Sequence, residues 1–148
     1  MRTLTKSTVF PAGQETIFLK LKEFSTLQKI AWPYAAFKPV DQNNRAIWQK
    51  GSTFRYKFRL FGVIPLGVHT IYIEKFDMDG ISSKEGNAYV PVWNHEILLD
   101  PLDSTHTRYT DRVSIDAGWK TDLVYIWACA FYTHRQKRWI QILEGRSQ

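Results

Sequence analysis

Cysteine is almost absent from this chain. One residue, Cys129, stands alone among 148 and cannot close an internal disulfide. No Cys/His cluster has the spacing of a structural zinc site. Redox-linked and metal-stapled scaffolds are therefore excluded, and neither a metal nor a cofactor is expected. Long apolar runs are missing as well: no stretch nears the roughly 18 uncharged residues that a membrane-spanning helix needs. The opening MRTLTKSTVFPAG lacks the continuous apolar segment of a signal peptide. Both absences lead to the expectation of a soluble, cytoplasmic protein. A glycine-rich phosphate loop, a serine elbow and an HExxH motif are all lacking, which removes the commonest nucleotide-binding, hydrolase and metalloprotease signatures. With no repeat, low-complexity tract or Ser/Gly/Pro-rich linker, residues 1–148 read as a single domain.

Aromatic residues are abundant. Six Trp, seven Tyr and nine Phe make up 15% of the chain, a share suited either to a thick core or to the rigid walls of a pocket. The net charge of +6 permits attraction to acidic partners but equally serves solubility. No feature of the sequence sets an oligomeric state.

The hydrophobic period organises the chain. Residues Arg2 to Phe10 read as a strand closed by the turn signal Pro11-Ala12-Gly13. The spacing of Ile17, Phe18, Leu21 and Phe24, then Leu27, Ile30 and Ala31, predicts two short helices broken near Ser25, a candidate N-cap. Pro33 ends the second, because proline disfavours helical geometry in the residue before it. Beyond it the period becomes two. In TFRYKFRLFG, Phe54, Tyr56, Phe58 and Leu60 alternate with Arg55, Lys57 and Arg59, the pattern of a half-buried strand. A turn over Gly62 to Gly67 leads to HTIYIEKFD, and Asp79-Gly80 signals a hairpin into ISSKEGN. Two more strands, YVPVWNHEILL and THTRYTDRVSID, meet at a polar turn over Asp100 to Ser104. From about Trp119 to Leu143 the chain holds no Pro or Gly and predicts one long helix. The first half of that helix, LVYIWACAFY, is apolar on nearly every side and is expected to be covered on most of its circumference.

This order of elements resembles the helix-grip fold of the SRPBCC superfamily, which includes START domains, pollen-allergen proteins and polyketide cyclases. STVFPAGQETIFLKLKEFSTLQKI looks like the family's first strand, turn and paired helices. VWNHEILL, THTRYTDRVSID and FYTHRQKRW look like the closing strands and terminal helix of bacterial cyclase/dehydrase-like members. The resemblance runs nearly end to end and implies an α+β fold in which a curved antiparallel sheet of about seven strands wraps the C-terminal helix. It also implies an apolar cavity between sheet and helix, holding a lipid, sterol-like or polyketide-like molecule.

Strand parity then selects the inward residues. Phe54, Tyr56, Phe58 and Leu60 face in on one strand. On the next, Ile71 and Ile73 share a face with His69, while Tyr72, Glu74 and Phe76 take the other. Trp93, His95, Ile97 and Leu99 are expected inward, as are Tyr109, Asp111, Val113 and Ile115. The expected ligand walls are Tyr56, Phe58, Ile71, Ile73, Trp93, Tyr109, Val113, Trp127 and Phe131, with His95 and Asp111 as polar anchor. An unpaired carboxylate at Asp111 would be costly to desolvate, so His95 on the adjacent strand is its expected partner. That pair reads in three ways: a core pair fixing strand register, an anchor for one oxygen of an apolar ligand, or a general acid/base dyad in a cyclase or dehydratase. Ser83 and Glu85 fall near the cavity mouth or on the surface. Ala128, Cys129 and Ala130 either let the helix approach the sheet closely or leave room for ligand.

The row Arg55, Lys57, Arg59 and the cluster His134, Arg135, Lys137, Arg138 read as a solvated strand face and a dipole-complementing helix end, so no nucleic-acid partner is expected. A transient contact with an acidic membrane surface, where a carrier would load, stays open. The leading function is binding or transport of a hydrophobic small molecule, with a cyclase-type enzyme and a filled-core interaction module as alternatives.

Overall fold

A computed structural model describes residues 1–40 and 48–145. Strand β1 (Arg2–Phe10) is followed by helices α1 (Gln14–Leu21) and α2 (Phe24–Ala31), and then by strands β2 (Ala35–Pro39) and β3 (Thr53–Leu60). Strands β4 (Ile64–Asp77), β5 (Gly80–Gly86), β6 (Val92–Asp103) and β7 (His106–Asp116) continue the chain. A short 3-10 turn at Gly118–Lys120 leads into the 23-residue helix α3 (Thr121–Leu143). The seven strands form one sheet in the order β1-β7-β6-β5-β4-β3-β2, with every pairing antiparallel. The molecule thus has the α+β helix-grip architecture, with α3 against the inner face of the sheet.

Alternation of side chains decides which face is inner. Tyr56 on β3, His69, Ile71 and Ile73 on β4, Trp93, His95, Ile97 and Leu99 on β6, and Tyr109, Asp111, Val113 and Ile115 on β7 are all buried. Arg55, Lys57 and Arg59 project from the outer face and are exposed. The register shifts between Lys57 and Arg59, between Ile73 and Lys75, and between Pro101 and Asp103. Such irregularities bend and twist a sheet, as wrapping a helix requires.

Tertiary hydrogen bonds fix the helices. Gln14 Nε2 donates to the Leu99 carbonyl at 3.1 Å and ties α1 to β6. His134 Nε2 lies 2.6 Å from the Trp32 carbonyl, and Arg138 Nε donates to the Lys29 carbonyl at 3.3 Å. Two side chains from the basic end of α3 therefore fasten it to the end of α2.

Local departures from expectation have physical causes. Ser25 lies inside α2 rather than capping it; Glu23 occupies the N-cap in an extended conformation and its side chain makes no capping bond. Phe24 is drawn into the helix by its stack on Tyr56, with ring centroids 4.5 Å apart. The turn expected over Gly62 to Gly67 is shorter: Val63 donates to the Leu60 carbonyl at 3.2 Å, and Ile64 already pairs with Leu60. Gly67, at φ +81, instead takes up the left-handed backbone of the bulge opposite β3. Phe76, expected on the outer face, is turned inward by the shift after Ile73 and meets Phe18, centroids 5.1 Å apart. The short edge strand β2, which ends in proline, carries too little alternation to be read from sequence.

The expected covering of the first half of α3 is also corrected. Leu123 is 65% exposed, Ile126 66%, and Trp119 just before the helix 85%. A sheet reaches one side of a helix, and here the opposite side stays open. Ala128 is fully buried where α3 presses on the core and Cys129 packs against the same cluster, whereas Ala130 faces out.

Candidate functional site

Three clusters of buried apolar side chains make up the core. One joins Trp93, Val113 and Ile115 to Ala128, Phe131 and Tyr132 of α3. Another joins Phe10, Ile17, Ile30, Leu99 and Tyr109 to Trp139, and the third is Tyr56, Ile71 and Ile73. They do not merge. A cavity of about 370 Å³ is bounded by members of all three, with Leu27 of α2 and Phe37 of β2 completing its apolar wall. That volume lies within the range of small-molecule sites, roughly 300–1,000 Å³.

Of the wall residues expected from sequence, Phe58, Ile71, Trp93, His95, Trp127 and Phe131 border the cavity. Tyr56, Ile73, Tyr109, Asp111 and Val113 are buried elsewhere in the core. Tyr56 is held flat against Phe24, and its hydroxyl accepts a hydrogen bond from Trp48 Nε1 at 3.2 Å. Ile73 packs within the Tyr56 cluster, and Val113 lies under the α3 cluster. Tyr109 stacks on Phe10 at 4.5 Å and meets Trp139 at 5.8 Å. Parity identifies the inner face of each strand, but not which stretch of that face the helix covers.

Asp111 sits behind His95. His95 Nε2 lies 2.7 Å from Asp111 Oδ1, and Gln136 Nε2 donates to Asp111 Oδ2 at 3.0 Å. Gln136 Nε2 also donates to the Lys6 carbonyl at 2.9 Å, while its own carbonyl accepts from the Thr8 hydroxyl. The carboxylate is satisfied from two elements and has no solvent exposure. The pairing of His95 with Asp111 is present as expected, with His95 alone of the two on the cavity wall.

A second polar group escaped the sequence reading. Ser83 and Glu85, left between mouth and surface, both project inward from β5 and line the cavity. The Glu85 carboxylate meets His69 Nε2 at 2.9 Å, accepts from the Ser83 hydroxyl, and lies 3.8 Å from His95 Nδ1. Asn87 fixes the tautomer of His69. Its Oδ1 accepts from the backbone N–H groups of Tyr89 and Val90, both at 2.9 Å, so its other terminal atom is the amide nitrogen. That nitrogen, 3.0 Å from His69 Nδ1, makes Nδ1 the acceptor and leaves Nε2–H to donate to Glu85. Burial works to raise the pKa of Glu85, but the His69 bond, the two neighbouring imidazoles and the Ser83 hydroxyl outweigh it and hold the group below its ordinary value. The missed signal was parity: Ser83 and Glu85 share a face with Ile81, and Ser83 pairs with His95.

The helix side of the cavity contributes donors. The Tyr132 hydroxyl accepts from Trp93 Nε1 at 3.1 Å, and burial pushes its pKa up, so it keeps its proton. Trp127 Nε1 is buried without a hydrogen-bond partner. Arg135, which the sequence reads as part of a dipole-complementing helix end, is buried and borders the cavity. It follows Phe131 by four residues and Trp127 by eight, and so falls on the wall-forming face of α3; that spacing could have placed it.

Among the described residues no group of three or more His, Cys, Asp or Glu side chains is arranged to hold a metal ion. No helix of those residues is long and apolar enough to cross a membrane.

A family profile described as "Domain of unknown function (DUF8410)" matches residues 13–143. No curated protein matches the sequence. Among solved structures, protein CV1439 from Chromobacterium violaceum aligns at 14% identity over 96% of both chains, with a TM-score of 0.75. A START superfamily protein from Mycobacterium smegmatis aligns at 15% identity over 97% of both chains, also at 0.75. Ara h 8.0201 aligns at 11% identity over 97% of this chain and 98% of its own, at 0.68. At these identities the likeness is one of fold, and the fold is that of the START and pollen-allergen proteins.

Proposed function

The chain belongs to the DUF8410 family, and on that premise and the helix-grip fold we propose that it binds or carries a hydrophobic small molecule between sheet and α3. The observation that carries this reading is the cavity itself, about 370 Å³ walled by aromatic and aliphatic side chains with a few convergent polar groups. Interiors normally pack to crystal-like density, so a void of this size is a departure that a filled-core interaction module would not need. Trp93 and Trp127 on its wall supply a built-in reporter.

The test is native mass spectrometry of the purified protein, with extraction of anything retained, and titration with lipids and polyketides followed by tryptophan fluorescence. Stoichiometric uptake with quenching is expected. Absence of uptake across such a panel would remove the proposal. The exposed apolar group at the mouth, Trp119 and Leu123 beside Lys120, favours loading by transient contact with a membrane surface.

His95 on the wall, oriented by Asp111, supports a second reading as a cyclase or dehydratase in which that pair moves a proton. The readings separate in His95→Ala. Lost turnover with retained affinity would mean catalysis, and unchanged handling of a bound molecule would mean carriage.

A further inference from the structure

Arg135 is a charged cavity-wall residue whose hydrogen-bonding capacity neither the core nor the polar groups of the sheet meet among the described residues. The residue is only 7% exposed. The guanidinium lies over the Tyr132 ring, 4.9 Å from its centroid, and 5.4 Å from that of Phe131. Its donors point outward in the guanidinium plane. Nε is fully buried with no hydrogen-bond partner, and among the described residues none accepts a hydrogen bond from this guanidinium or forms an ion pair with it.

The carboxylates that could have neutralised Arg135 are committed elsewhere. Asp111 is held by His95 and Gln136, and Glu85 by His69 and Ser83. Both attract Arg135 from a distance, and neither touches it. Burial disfavours its charge, but Tyr132, Asp111, Tyr109 and Glu85 outweigh that and hold its pKa above the ordinary value, so the arginine stays charged and what the fold leaves unmet is its hydrogen bonding. The same wall also presents Trp127 Nε1, without a partner, and the Tyr132 hydroxyl, whose proton no described residue accepts.

We infer that the occupant of the cavity is a hydrophobic monocarboxylate whose carboxylate is taken by the Arg135 guanidinium. A planar fork of N–H donors matches the two oxygens of a carboxylate, and aliphatic and aromatic walls receive the remainder of the molecule. A phosphate is a poorer fit, since a single guanidinium leaves much of its charge unmatched. The inference deepens the proposed binding function and rests on it.

The experiment uses the full chain and a neutral reporter, Nile red, displaced by dodecanoate, dodecanol or dodecyl phosphate. Hydrogen bonds to a charged group contribute roughly 1.5–3 kcal/mol, or about 10- to 100-fold in affinity. Dodecanoate should therefore displace the dye at least about tenfold better than dodecanol. Arg135→Met should abolish that preference while leaving dodecanol competition in place, and Arg135→Lys should recover part of it. Nile red binding with equal displacement by acid and alcohol would overturn the carboxylate assignment and leave the cavity reading standing, as would stronger displacement by dodecyl phosphate. Failure of Nile red and all three competitors to bind would remove both. Should Arg135→Met not fold, the acid-to-alcohol ratio of the unmodified protein decides the matter alone.

Discussion

Gln136 on the C-terminal helix donates to Asp111 on the last strand at 3.0 Å, deep in the core, so the helix is fastened to the sheet through the same carboxylate that orients His95. The pair is thus a structural cross-link as well as a support for a cavity residue. Removing the carboxylate leaves His95 Nε2 without its partner and Gln136 Nε2 with the Lys6 carbonyl as its remaining acceptor.

Asp111→Ala is accordingly expected to cost about 1–3 kcal/mol, the range for leaving a buried donor without its acceptor. A lowered midpoint in chemical denaturation with an unchanged slope would show it. A loss below about 1 kcal/mol would mean that the network does not hold the helix.

Glu85 makes stability depend on acid. Its folded-state pKa lies below the unfolded one, so its ionised form stabilises the fold fully above the ordinary glutamate range. That contribution disappears as pH falls from about 4.3 through the lower folded value. Glu85→Gln should be less stable than the unaltered protein at neutral pH, and the gap should narrow below about pH 4. Thermal melts of the two proteins from about pH 3 to about pH 7 check this; a gap that widened on acidification would contradict it.

Gly80 opens β5 at φ +155, and a Cβ added there would lie 2.1 Å from the Ile97 carbonyl oxygen of β6. Backbone on both sides leaves no flexible side chain to yield. Gly80→Ala should destabilise by about 1–3 kcal/mol, as overpacking does, or shift the hairpin register. Gly51 supplies a control for strain without a clash, since its φ is +85 but an added Cβ would meet nothing within 4 Å.

The open flank of α3 carries a prediction about loading. Leu123→Ser combined with Ile126→Ser should weaken association with anionic lipid vesicles by at least about tenfold, from the apolar area removed. The melting temperature should hardly change, because both side chains are already exposed. Equal vesicle binding by the two proteins would argue that ligand arrives through water.

Most of the architecture was legible because it rests on period. Alternation selected the inner residues of β3, β6 and β7 correctly, and the proline-free stretch after Trp119 marked the long helix. Where the period slips, reading failed: the bulge after Ile73 reversed Phe76, and Gly67 looked like a turn while sitting inside a strand. The site was legible in part. His95 and Asp111 stood out as ionisable groups on an apolar face, whereas Glu85 lay in a short polar segment and Arg135 in a run of cations that read as complementing the helix dipole. Both became visible only once the inner surface closed over them, since burial of a charge is a property of the assembled fold.

Strand β1 zips onto β7, Arg2 opposite Ile115 and Phe10 opposite Thr107. Strand β1 therefore leaves a ribosome well before its sheet neighbour β7, and must wait unpaired while the strands between them are made. Folding that depends on so remote a contact is slow for its size. During synthesis this amphipathic ribbon is the piece most exposed to capture by chaperones or by another nascent chain.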